Sequence, residues 1–400
     1  MADLFWPGDQ RAGDVMSDAA LLAAALRVET AWLAALVDAG VAPATARVDL
    51  GALVGVDDIA TLSAGAEADG NPVTGLVALL RERTGDAARR WVHRGLTSQD
   101  VVDTALVLCL RDVFGALRDP LSTQVTTLER LTEKHRATPM LSRTLTQPAL
   151  PSTAGLKFAR WLTAILDAAD TVDALPPLPV QCGGAAGTMA AATELTGSAD
   201  AALDLAGTLA DALGLAPSDP WHTTRSVFTR AGDALVSCCD AWGHIANDVL
   251  TGSRAEVGEF THATGGGSST MPHKNNPVLA VLLRRAALTA PALGATLHTA
   301  AASGVDERAD GGWHAEWATL AILSRRTVIA ASQAADMLAG LRLDADRAHA
   351  NLHAAQGIQA EQHTMAELTG NSAAATYLGA ADRITDAALQ RARHYLKESQ

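Results

Sequence analysis

Over most of this chain, apolar residues recur every three to four positions, in stretches too long for strands. Ser17-Asp18 opens the first such stretch, in which Leu22, Leu26, Leu33 and Val37 share one face and Gly40 closes it. The pattern predicts further helices over about 57–68 and 74–84, on either side of the break Gly70-Asn71-Pro72. Thr97 and Asp100 stand at capping-box spacing. From Val101 the phase Leu106, Leu110, Val113, Leu117 then describes a long amphipathic helix. Helical patterns continue through 121–137, 151–172, 190–213 and 222–250, the last with Cys238, Trp242, Ile245 and Val249 on one face. Two more cover 276–302 and 314–339. Glycine and proline cluster at 176–187, 214–220, 263–272 and 304–312, with no internal repeat and no convincing strand. The expected fold is all-α and elongated. Residues 1–100 form an N-terminal helical domain, 101–340 a central long-helix bundle and 341–400 a C-terminal helical cap.

Composition agrees with helices: the chain is 48% hydrophobic but only 4% aromatic, whereas strands favour aromatic and β-branched residues. A net charge of −13, from 31 basic against 44 acidic residues, argues against a nucleic-acid surface. Any positive charge needed for an anionic ligand must therefore be local. No apolar run is expected to span a membrane. Met1 to Trp6 lacks the basic start and apolar core of a signal peptide, so a cytoplasmic protein is expected. Cys109, Cys182, Cys238 and Cys239 show no C-x-x-C spacing and read as reduced packing residues. His349 and His353 stand at i, i+4 but lack a third ligand, and His314 and Glu316 would diverge on a helix, so no metal is expected.

The candidate chemistry centres on a loop at 263–277, which contains Gly265-Gly266-Gly267-Ser268-Ser269-Thr270-Met271-Pro272-His273-Lys274-Asn275-Asn276-Pro277. Glycines let such a run curl and turn successive N–H groups inward as an anion nest. Ser268 and Ser269 add hydroxyls, Lys274 a cation and Asn276 an amide. A Gly/Ser run is usually a connector, but a connector has no use for Met-Pro-His-Lys-Asn-Asn-Pro behind it. The loop is expected to move without ligand and close over it. His93 precedes Thr97-Ser98 at the start of the long helix, where free N–H groups attract carboxylates. The proline-punctuated break at 140–151 carries Arg143, a carboxylate fork, with Thr144 and Gln147 as neutral donors, or else is a surface turn. In Glu307–Trp317 the two tryptophans read as a half-buried seam and Arg308 as a substrate contact.

The segment SSTMPHKNNP resembles the signature loop of the fumarase/aspartase/adenylosuccinate lyase superfamily. GNPV at 70–73, TSQDVVDTALVL at 97–108, GGAAGT at 183–188, PWH at 220–222 and GGWHAEW at 311–317 resemble its 3-carboxy-cis,cis-muconate cycloisomerase branch. The resemblance implies a homotetramer whose sites draw on three subunits, and a cofactor-independent conversion of 3-carboxy-cis,cis-muconate to 4-carboxymuconolactone in protocatechuate breakdown. It implies Ser268 as the proton-transfer residue, with His93 second. Asn71, Thr97, Ser98, Arg143, Thr144, Gln147, Ser269, Met271, Lys274, Asn276 and Arg308 would bind substrate. Amine-releasing relatives carry His where this chain has Asn71 and Leu145, which suits a reaction that protonates no amine. After Glu361 the chain passes almost directly to the Tyr377-Leu378-Gly379-Ala380 ending, so the C-terminal cap looks cut down. Two alternatives stand beside this reading: another lyase of the fold with a non-amine leaving group, and an inactive helical scaffold.

Overall fold

The computed structural model describes residues 3–262, 266–267, 270–271 and 274–398. Helices α1 Asp18–Asp38, α2 Ile59–Asp69, α3 Val73–Arg83 and α4 Asp86–Arg89 precede the longest, α5 Ser98–Lys134. There follow α6 Ala154–Asp173, α7 Ala190–Thr196, α8 Ala199–Leu213, α9 Ser226–Gly252, α10 Val278–Ala302 and α11 Gly311–Gly340. The chain ends with α12 Ala345–Ala354, α13 Ala360–Thr369 and α14 Ala381–Glu398. Long helices make the bundle: α10 packs between α9 and α11, and α5 packs on α6 and α11. The expected apolar phases face its interior, with Leu106, Leu110, Val113, Leu117, Trp242, Ile245 and Val249 all buried. Each such side chain contributes roughly 1.5–3 kcal/mol by leaving water. The first helix starts as its cap predicts, with Ser17 Oγ accepting from Ala20 N at 3.1 Å.

Three expectations need correction. First, 139–153 is a β-hairpin: β1 Pro139–Thr144 pairs antiparallel with β2 Gln147–Thr153. Pro148 and Pro151 disguise the second strand, and the turn uses Leu145 and Thr146 at φ 48° and 71° rather than the asparagine and glycine such turns favour. A second pair, β3 Phe260–His262 with β4 Leu341–Leu343, ties the base of the 263–277 loop to the end of α11. Second, the helix expected over 190–213 is two helices, broken at Gly197 (φ 84°), with Ser198 capping α8. Third, α1 and α10 are each long and apolar enough to cross a membrane, with mean hydropathies of 1.7 and 1.5. Half of the apolar stretch of α1 is buried, against α5 and α8 among others, as in a core helix. Only 28% of that of α10 is buried, and Val281 and Leu288 stand open on it.

All four cysteines are free and buried, and burial pushes the Cys109 and Cys239 thiols up to about 12. A thiol titration of the native protein at pH 8 should therefore find no fast-reacting group, and all four should appear on unfolding. A fast thiol in the native state would contradict this packing.

Candidate active site

The N-terminus of α5 gathers one set of the expected residues. Trp32 Nε1 donates to Arg94 O at 2.7 Å and Arg81 Nη2 to Val92 O at 2.9 Å, which pins the loop before the helix. Within that loop His93 holds φ 62°, a left-handed conformation that costs a non-glycine residue about 1 kcal/mol. Its Nδ1 lies 2.6 Å from Oε1 of the fully buried Glu29. Gly95 holds φ 93°, a conformation that favours glycine, and a Cβ there would press on the Trp32 ring at 3.1 Å. Thr97 N donates to Asp100 Oδ2 at 2.9 Å, while Thr97 Oγ1 accepts from Arg308 Nη2 at 2.5 Å. Ser98 opens the helix and is half-buried. His314 Nε2 donates to Gly70 O at 2.8 Å, which brings the Gly70-Asn71-Pro72 turn to the same end. Asn71 caps α3 there: its Oδ1 accepts from Val73 N at 3.0 Å and Thr74 N at 3.3 Å.

Beneath Thr97 lies a buried polar layer. Asp100 also accepts from Gly183 N at 2.8 Å, Gly184 N at 3.0 Å and Gln181 Nε2 at 3.1 Å. Burial pushes its carboxyl up, and the N–H donors of Thr97, Gly183 and Gln181 pull it back towards the ionised form. Gln181 Nε2 donates to His222 Nδ1, so His222 keeps its proton on Nε2 and gives it to Gly184 O at 2.8 Å. One helical turn along, Asp103 meets Arg225, which also grips Glu316. Trp313 Nε1 donates to Asp103 Oδ1 at 2.9 Å, and its ring stacks edge-on against Trp317, so the tryptophan seam is structural.

The other set lies at the far end. Arg143 spends its fork on Glu259, at 3.0 and 2.7 Å, where Asn351 also donates at 2.8 Å. That buried protein carboxylate lies in the fork expected to hold a substrate carboxylate, and the pair braces the hairpin against the segment leading to β3. Thr144 and Gln147 face each other across the exposed turn, with Leu145 at its tip. Gly266 and Asn276 exchange two backbone hydrogen bonds of 3.0 Å, which close the base of the glycine loop. Gly266 must be glycine, because a Cβ would collide with Val278. Lys274 and Met271 are exposed on that loop and Asn276 is half-buried. Ser268 and Ser269 lie outside the described residues, as does most of the expected N–H nest and moving lid.

Among the described residues the two sets do not meet within one chain. The 37 residues of α5 separate Thr97 from the hairpin, and a helix of that length spans about 55 Å. A cavity of about 610 Å³ between α1, residues 49–56 and the end of α8 contains none of the expected site residues. A smaller one, about 230 Å³ behind the hairpin, includes Arg143, Lys157 and Asp248. Among the described residues no group of three or more His, Cys, Asp or Glu could hold a metal.

The profile of a family described as lyase matches residues 17–291. The chain belongs to this lyase family, in the fumarase/aspartase superfamily. Nitrosuccinate lyase of Streptomyces davaonensis is 41% identical to this lyase over 366 residues, 88% of this chain and 77% of that protein. The 3-carboxy-cis,cis-muconate cycloisomerase of Pseudomonas aeruginosa is 39% identical over 355 residues, 86% of this chain and 76% of that one. The crystal structure of 3-carboxy-cis,cis-muconate lactonizing enzyme from Pseudomonas putida superposes with a TM-score of 0.82 at 33% identity, over 97% of this chain and 86% of that chain.

Sequence reasoning about this lyase missed Glu29, Glu259 and the Asp103–Arg225–Glu316 group. A signal existed for two of them. Glu29 interrupts the apolar phase ALRVETAWLAAL, and Asp103 interrupts VVDTALVL. A charge on a face that must be buried needs a partner.

Proposed function

We propose that this lyase moves a proton at a carbon next to a carboxylate, and makes or breaks a bond from the neighbouring carbon to a weakly basic anion. Its first-choice reaction is cyclisation of 3-carboxy-cis,cis-muconate to 4-carboxymuconolactone. A carboxylate oxygen adds to one end of a conjugated double bond, and a proton reaches the carbon beside another carboxylate. The intermediate is an aci-carboxylate with two negative charges on one group, which donors already in place stabilise. Lys274, Asn276, Ser269 and the loop amides fill that role, and Ser268 transfers the proton, with His93 as its alternative. Thr97, Ser98 and Arg308 bind a carboxylate at the free end of α5, where the helix dipole favours an anion. Met271, Thr144 and Gln147 complete the walls.

The observation that carries this reading is the state of the two positions where an amine-releasing enzyme of the fold would place a histidine. Asn71 is engaged in capping α3, and Leu145 is an exposed hydrocarbon at the hairpin tip. Neither can protonate a leaving amine, whereas a carboxylate needs no such acid. Nitrite needs none either. Elimination of nitrite from nitrosuccinate is therefore the second reading, favoured by the 41% identity to a nitrosuccinate lyase. Two assays separate them: loss of diene absorbance with carboxymuconate, and nitrite release from nitrosuccinate. Turnover of the first substrate is expected to exceed that of the second by at least about tenfold. The opposite ratio moves the assignment to nitrosuccinate, and no turnover of either would sink both.

Assembly belongs to the same proposal. The separated halves become one site when chains pack antiparallel, so that the hairpin and glycine loop of some subunits meet the α5 end of another. The apolar stripe on α10 at Val281 and Leu288 supports a covering copy. A homotetramer with sites drawn from three subunits satisfies both. The proposed domains remain 1–100, 101–340 and 341–400, with the bundle as the part that assembles.

A further inference from the structure

Glu29 is the one acidic residue in the middle of α1, and it is wholly buried. Its Oε1 is 2.6 Å from His93 Nδ1, and its Oε2 has no hydrogen-bond partner among the described residues. We infer that Glu29 is a positioning residue for His93: it holds the ring proton on Nδ1 and leaves Nε2 as the nitrogen that works on substrate. This rests on the reading of His93 as a site residue.

The geometry allows little else. The 2.6 Å contact is a hydrogen bond between Nδ1 and Oε1, and a carboxylate that accepts it takes the proton from Nδ1. His93 Nε2 makes no hydrogen bond within the described residues, and the ring keeps partial exposure. The left-handed backbone at residue 93, followed by Gly95, turns the ring back towards α1. A purely structural brace between α1 and this loop is redundant, because Trp32 and Arg81 already pin the backbone at residues 94 and 92. A buried carboxylate with one bare oxygen is, moreover, a poor way to stabilise a fold, since an apolar side chain of similar size would pack there without that desolvation cost.

The surrounding charges leave the pair to itself. Arg81, on α3, reaches Val92 O and feels the Glu29 charge without forming an ion pair with it. Arg94 donates to Arg90 O on the outside of the loop, and Arg308 is held by Thr97. The carboxylate therefore acts chiefly on the imidazole, through its contact with Nδ1.

The test compares Glu29→Gln, His93→Ala and the double variant in the assembled enzyme. Glu29→Gln keeps an oxygen acceptor and removes the charge. It is expected to lower kcat by about 10–100-fold with KM changed by less than about threefold. This loss should vanish in the His93→Ala background. If His93→Ala itself leaves turnover within about twofold of wild type, the reading of His93 fails and takes this inference with it. If His93→Ala is impaired while Glu29→Gln keeps the wild-type rate, or its loss persists unchanged in the double variant, only the inference is overturned. A measurement without the Glu29 variant guards against a folding artefact. Nitrogen-15 spectra of histidine-labelled enzyme, with the His93 signal assigned by its absence in His93→Ala, should show the Nδ1–H tautomer. An Nε2–H tautomer overturns the inference outright.

Discussion

Ser268→Ala should lower kcat by about 10²–10⁴-fold while changing KM by less than about threefold, the pattern of a group that acts in proton transfer. A serine hydroxyl is a weak acid and base at neutral pH, so its surroundings must carry the reaction. Lys274, on the loop closed at Gly266 and Asn276, is the cation proposed to supply positive potential there. Lys274→Ala should accordingly raise KM as well as lower kcat, because the cation serves both bound substrate and intermediate. The serine variant also tests the shared site. Its defect lies at the glycine-loop end of the chain, and a Thr97→Ala/Ser98→Ala variant is defective at the opposite end of α5. Under conditions that let subunits exchange, the mixture of these two inactive proteins should regain part of the wild-type activity, since some sites then receive both intact segments. A monomer by light scattering, or no recovery after proven exchange, rules out shared sites. Near-normal turnover by Ser268→Ala would move proton transfer to His93.

The helical architecture was legible because it is written in a local code. A 3.6-residue apolar phase needs no knowledge of partners, and Leu106, Leu110, Val113 and Leu117 announce their own buried face. The hairpin was not legible, because its turn tolerates left-handed Leu145 and Thr146 where sequence rules look for glycine, and its prolines sit in a two-stranded ribbon that has only edges. The blocks Thr97-Ser98 and Glu307–Trp317 could be named from the sequence, and the structure joins them through Arg308. Their proposed union with the glycine loop rests on assembly, to which no pattern along one chain refers. The least legible features are pairings between charges far apart in sequence. Nothing local in the residues around Arg143 says that Glu259, 116 positions on, will occupy its fork.

The buried group around Arg225 yields the largest expected effect on stability. Its guanidinium meets Asp103 at 2.6 and 3.0 Å and Glu316 at 2.5 to 3.1 Å, with all three residues buried. Trp221 and Phe228 present ring faces 5.1 and 4.9 Å from the same group. Burial alone would lower the proton affinity of Arg225, but the two carboxylates hold it above its ordinary value. Burial pushes Glu316 up, against the pull of Arg225. One cation thus lies between two buried carboxylates at the crossing of α5, α9 and α11. Arg225→Met removes that cation, and Asp103 and Glu316 are left facing one another in a space without water. At least one must then bind a proton or leave the core, and breaking a buried pair in this way costs about 3–5 kcal/mol. The denaturation midpoint should fall accordingly. Activity should fall with it, because Asp103 lies on the second turn of the helix whose first turn carries Thr97 and Ser98. Replacing all three together, with Asp103→Leu, Arg225→Met and Glu316→Leu, removes the stranded charges and should recover most of the lost stability. An Arg225→Met protein with an unchanged midpoint would show that the carboxylates are satisfied by other means. A triple variant no more stable than Arg225→Met would show that shape, not charge, holds this crossing.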